Sequence, residues 1–142
     1  MIYLCLDLES IRDPAIPFAS NDPDTFAPLP CHQIVCGCWG KLTVTPEAAK
    51  LELGGERDER ALLRRLARQW PHFSEHFKLI TYGGRRFDVG EIDDVFRYCK
   101  KDVVLTTAVL AGSEHLAGRW TTEMREMALA ECWREWEALG GV

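Results

Sequence analysis

The chain reads as a mixed α/β fold, a sheet flanked by helices. Apolar runs at residues 2–6, 33–40, 41–53 and 77–82 have the length and β-branched or aromatic content of strands. Three longer segments repeat apolar residues every three or four positions, as amphipathic helices do. The order is β, β, β, α, β, α, α, and no internal repeat or low-complexity tract divides it. The 142 residues are expected to form one domain, with a core over 1–111 and an additional amphipathic helix at about 119–139.

Ile2, Tyr3, Leu4, Cys5 and Leu6 form the first strand. A turn-rich stretch over residues 10–30, holding Pro14, Pro17, Pro23, Pro28 and Pro30, bounds it. Irregular connections of that length in compact domains usually serve a function. Residues 33–40 resume as a buried strand, and 41–53 alternate loosely as a hairpin partner ending at Gly54-Gly55. Glu56, Asp58 and Glu59 open the first helix with acids at its positive end. Leu62, Leu63, Leu66 and Trp70 form its buried stripe, Arg60, Arg64, Arg65 and Arg68 face water, and Pro71 stops it. Residues 77–82 are the fourth strand, ended by Gly83-Gly84. The second helix, 91–110, aligns Ile92, Phe96, Cys99, Val103, Thr106 and Leu110 on one face. The third, 120–139, aligns Trp120, Met124, Ala128, Cys132 and Trp136. With Trp133 added, its apolar area exceeds what a solvated helix needs. That points to a cover over exposed core or to a homodimer contact.

Apolar content of 46% and charged content of 27% are those of a water-soluble globular chain. No apolar run approaches a membrane span and the N-terminus lacks a signal-type core, so a cytoplasmic protein without a membrane partner is expected. A net charge of −5 excludes a general nucleic-acid coat. It leaves room for an enzyme that grips a few phosphates through a local basic patch and metal ions. The six cysteines read as buried reduced thiols. Cys31, Cys36, Cys38 and His32 contain no CxxC pair, and Pro71 interrupts the stretch in which His72 and His76 have helical spacing. Structural zinc is therefore not expected.

The chemistry gathers around carboxylates. Asp7 and Glu9 share one face of the first strand, since residues i and i+2 point the same way. Two acids side by side on a core strand repel and lose hydration, a cost that a hard cation would offset. The other reading is a strand end with two surface acids. Asp88 emerges after the fourth strand, and Tyr98 and Asp102 share a face of the second helix. Asp7, Glu9, Asp88 and Asp102 make four carboxylates for two divalent cations. Such ions clamp the attacking and leaving oxygens of a phosphodiester and acidify a water. Tyr98 would orient that water, because a free phenol is a poor base at neutral pH. Asp88 has an alternative as the cap of a capping box ending at Glu91, and Tyr98 and Asp102 as the polar edge of an amphipathic helix.

These motifs resemble the 3′–5′ exonucleases of the DEDD superfamily, tyrosine subtype, and above all stand-alone relatives of the family B DNA polymerase proofreading domain. DLES (7–10) is similar to the first motif, PCHQIVCGCWG (30–40) to the second strand, LITYGGRRFDV (79–89) to the second motif and YCKKDVVLT (98–106) to the third. The resemblance covers about residues 2–111. It implies a ribonuclease-H-like fold, two Mg²⁺ or Mn²⁺ ions, and removal of nucleotides from single-stranded DNA or RNA 3′ ends. Arg85 and Arg86 flank the site and would hold phosphates, as would Lys100 and Lys101 beside Asp102, unless these residues only balance local acids.

Gly83 stands where the family usually has Asn, and only nine residues separate Asp88 from Tyr98 where the family has several tens. The missing piece normally supplies a helix and a fifth strand. An uninterrupted helix over 89–102 would hold Asp88 and Asp102 about 20 Å apart. A shared centre therefore predicts a non-helical turn at Val89-Gly90, with the helix starting near Glu91. The alternative is a catalytically impaired remnant of the fold that binds a nucleic acid or protein partner.

Overall fold

The structure, a computed structural model, describes residues 1–12, 15, 32–69, 77–81 and 92–141. The elements follow the expected order: strands β1 (Ile2–Arg12), β2 (His32–Val44) and β3 (Ala49–Glu56), helix α1 (Glu59–Gln69), strand β4 (Phe77–Thr81), and helices α2 (Ile92–Leu116) and α3 (Thr122–Ala138). The strands form one mixed sheet in the order β3-β2-β1-β4. β1, β2 and β3 are antiparallel neighbours, while β4 runs parallel to β1 from Ile2↔Phe77 to Leu6↔Thr81. Strands β3 and β4 therefore point the same way, and α1 is the helix of the crossover between them.

Helices cover both faces. Leu62 of α1 packs with Leu4 and Trp39, joined by Leu6, Ile34 and Leu66. The opposite face is the larger core: Tyr3, Cys5, Cys36, Cys38, Leu42, Val44 and Leu51 of the sheet meet Val95, Cys99, Val103 and Leu110 of α2. α3 adds Met124, Ala128 and Cys132, with Trp120 just before its first turn. Among the described residues no helix is long and apolar enough to cross a membrane.

Several boundaries differ from the sequence reading, each for a packing reason. β1 runs two residues past the turn signal at Ser10, because Ser10, Ile11 and Arg12 pair with Ile34, Gln33 and His32. β2 absorbs residues 41–44, which alternation assigns to its partner; the turn comes at Thr45, whose Oγ1 accepts from the N–H of Glu47 (3.3 Å) and Ala48 (3.0 Å). Gly54 and Gly55 lie inside β3 instead of ending it. The Trp39 indole lies across Gly54, so that a Cβ there would collide with it. In α1 the Asp58 carboxylate accepts from the Ala61 N–H at 2.7 Å and so caps the helix. Only one stripe of this short helix can face Leu4 and Trp39, so Leu63 is 53% exposed while Leu62 is buried. Trp70 lies outside the described residues.

α2 is longer and rotated relative to expectation. Its buried line is Val95, Cys99, Val103, Thr107, Leu110 and Ala111, with Phe96 and Thr106 at the edges. It continues to Leu116 because Glu114 is anchored below it by Tyr3 and Arg119. Thr121 caps α3 by accepting from the Met124 N–H. α3 packs on α2 and β3 and so covers core, while Trp133 stays 62% exposed.

Candidate metal centre

Alternation along β1 sends Tyr3, Cys5, Asp7 and Glu9 to the face under α2, and Leu4, Leu6 and Leu8 to the other. Asp7 lies opposite Cys38 on β2 and Glu9 opposite Cys36. Immediately after Glu9 the ladder slips: Ser10 pairs with Ile34, which leaves Val35 as the extra residue of a β-bulge. Bulges increase local twist and recur beside functional sites.

Asp7 and Glu9 are each only 2% exposed. Neither Asp7 carboxylate oxygen, nor Oε1 of Glu9, has a hydrogen-bond partner among the described residues. Buried carboxylate oxygens are nearly always satisfied, and an unsatisfied one costs a few kcal/mol. Burial pushes the Asp7 carboxyl above its ordinary range. The Cys99 thiol, the Glu9 carboxyl and the Leu8 N–H approach and offset part of that, but none meets hydrogen-bonding geometry with its oxygens. Glu9 is pushed up to about 8, first by burial, then by the charge and close approach of the Asp7 carboxylate, with smaller contributions from Cys36 and Asp102. Without a cation the pair therefore holds a proton near neutral pH.

α2 brings two more groups. Cys99 is buried and its Sγ donates to the backbone oxygen of Asp7 at 3.4 Å. One ligand atom each from Asp7, Glu9 and Cys99 lies within 4.8 Å of the other two. Asp102, one helical turn further and half-buried, is close enough for its charge to reach Glu9. Tyr98 lies at the solvent edge of the same helix, 39% exposed.

The structure thus groups Asp7 and Glu9 with Cys99; Asp102 is near enough for its charge to reach Glu9 but lies outside that 4.8 Å grouping, and Tyr98 is exposed on the same helix. Asp88, Arg85 and Arg86 lie outside the described residues, as does the turn expected at Val89-Gly90; the regular helix begins at Ile92. Lys101 faces away from the centre: its Nζ donates to the Gly141 backbone oxygen at 2.6 Å and sits 4.8 Å from the Trp136 ring centroid. Lys100 lies over Phe96.

The sequence reading leaves Cys99 as plain core. Its signal was the pair Cys36 and Cys38, two residues apart on β2 like Asp7 and Glu9 on β1, but only the strand register sets one pair against the other. Thiol contact with Cys99 and burial hold Cys36 far above the ordinary thiol range. For Cys99 the contact with Cys36 works against a rise, but contact with Cys38 and burial outweigh it. Both sulfurs are therefore protonated in the absence of a cation.

No family model, no curated protein and no solved structure matches this chain, so the functional reading rests on the geometry around Asp7, Glu9, Cys99 and Asp102.

Proposed function

We propose that this chain is a metal-dependent 3′–5′ exonuclease that hydrolyses phosphodiester bonds at DNA or RNA 3′ ends. One observation carries the reading: two adjacent buried carboxylates, three of whose oxygens have no donor among the described residues, with a third acid on the helix above them. So costly an arrangement fits a divalent cation. The strand order supports the ribonuclease-H-like assignment, with three antiparallel strands and a parallel fourth on the far side of β1. In that fold the lost helix and fifth strand would lie beyond β4.

Asp7, Glu9 and Asp102 would hold Mg²⁺ or Mn²⁺, with Asp88 as the fourth carboxylate of a two-ion site. When bound, such ions neutralise charge on the phosphodiester and acidify water. The protein's own residues do the rest. Glu9 would give up its proton on loading, and with Asp7 it would present fixed negative charge in dry surroundings. Tyr98 would use its hydroxyl to position the attacking water. Arg85 and Arg86 would grip the phosphates of the terminal nucleotides.

The degree of enclosure favours a second reading. At 2% exposure, Asp7 and Glu9 offer a bulky phosphodiester no direct approach. A binding module that retains the metal but not the cleavage would look the same. Cleavage of a 5′-labelled single strand in Mn²⁺ separates the two. The exonuclease reading expects stepwise shortening from the 3′ end, abolished by chelator and by Asp7→Asn. Manganese binding without shortening would establish the module instead.

A further inference from the structure

We infer that Cys99 is a sulfur ligand of the centre, making it a mixed oxygen–sulfur site that takes zinc-class ions in preference to Mg²⁺. The inference rests on the proposed carboxylate site and adds to it a ligand and a metal preference. Donor atoms placed tetrahedrally around one ion at about 2.0–2.3 Å lie about 3.3–3.7 Å apart. Asp7, Glu9 and Cys99 group within 4.8 Å, so side-chain shifts of about an ångström bring them to that spacing. The carboxylate donors are also idle. Both Asp7 carboxylate oxygens and Glu9 Oε1 are buried and without partners among the described residues. Cys99 Sγ is already turned towards Asp7, held by its 3.4 Å bond to the Asp7 backbone oxygen.

Among the described residues, Cys99 is the thiol that comes within reach of both carboxylates. Cys36 and Cys38 stand beside it on β2 and shape the wall; the Cys38 thiol is engaged at 3.6 Å by the Phe96 backbone oxygen. Thiolate sulfur is a soft donor that hard Mg²⁺ avoids, whereas Zn²⁺, Co²⁺ and Cd²⁺ accept two oxygens and one sulfur readily.

Cobalt titration of the full chain tests this, since cobalt–thiolate coordination gives a near-ultraviolet charge-transfer band that carboxylates alone do not. The expected result is one band saturating with Co²⁺ binding. It should be lost in Cys99→Ser and kept in Cys36→Ser and Cys38→Ser. In Cys99→Ser, Zn²⁺ affinity should fall by about tenfold or more while Mn²⁺ affinity, by calorimetry, stays within about threefold. Wild-type protein that binds Mn²⁺ and Co²⁺ without the band would overturn the sulfur ligand and leave the carboxylate site standing. A band that persists in Cys99→Ser would overturn the assignment in favour of another thiol. Failure of the wild type to bind any of these ions would overturn the site as well.

Discussion

The two ends of β1 treat buried acid in opposite ways. Near the N-terminal end, Glu114 of α2 is only 3% exposed and fully engaged. Arg119 grips it with two bonds of 2.6 and 2.8 Å, and the Tyr3 hydroxyl donates to Oε2 at 3.2 Å. Trp120 donates in turn to the Tyr3 oxygen at 3.1 Å and packs edge-on against its ring. Four residues along the same strand, Asp7 and Glu9 are as deeply buried and have oxygens with no such donors among the described residues. One strand and one helix thus supply both an acid that closes a network and a pair that leaves one open. The first arrangement serves stability; the second is costly until something fills it.

Neutralising the open pair gives the largest expected effect. In Asp7→Asn with Glu9→Gln, Mn²⁺ affinity by calorimetry should fall at least ~100-fold. The metal-free double variant should melt ~3 °C or more above wild type, since repulsion and desolvation are relieved. A variant that melts lower would show that the pair is satisfied after all.

At the closed end the sign reverses. Glu114→Ala removes a buried acceptor of the Tyr3 hydroxyl, while the half-exposed Arg119 guanidinium turns to water, and urea unfolding should show a loss of about 1–2 kcal/mol. Mn²⁺ affinity should stay within about threefold, because the two ends share no partner.

Acidity sharpens the contrast. The folded chain holds a proton on Glu9 up to about 8, while the unfolded chain releases it near 4.5. Between those values the folded state binds more protons, so metal-free stability must fall as pH rises across this window and level off above it. Saturating Mn²⁺ should flatten or invert the slope in denaturation curves taken at several pH values. A metal-free chain that gains stability across the window would contradict the open-pair description.

The smallest effect is expected at Tyr98. Tyr98→Phe should slow strand cleavage by about tenfold, with Mn²⁺ affinity unchanged and stability within about 0.5 kcal/mol of wild type. Lost stability without lost rate would make Tyr98 a packing residue.

The parts of this centre that sequence disclosed are those governed by local periodicity. Asp7 and Glu9 share a face because strands alternate, and Tyr98 and Asp102 lie one turn apart on a helix. The fold order was legible for the same reason, since each element carries its own period. Cys99 was not, because its role depends on how far α2 is rotated and on the register that sets Cys36 and Cys38 opposite Glu9 and Asp7. The Glu114 network was equally hidden: its partners on β1 and beyond lie 111 and 117 positions apart along the chain. Leu63 shows the converse failure, where a helical stripe read too wide for the sheet surface available to it.

The slip beside Glu9 has an evolutionary consequence. Ile34 packs with Leu4 and Trp39 on the α1 side, whereas Cys36 faces the carboxylates. Neighbouring ladder positions in an unbroken strand would alternate in the same way, so Val35 is an insertion that leaves the phase of β2 intact. A chain lacking Val35 would keep every strand pair and both cores, and lose only the added twist at the end of the carboxylate pair. Single-residue loss is thus tolerated here where almost anywhere else in the sheet it would turn a strand inside out. The change in Mn²⁺ affinity on deleting Val35 then measures what that twist contributes to the centre.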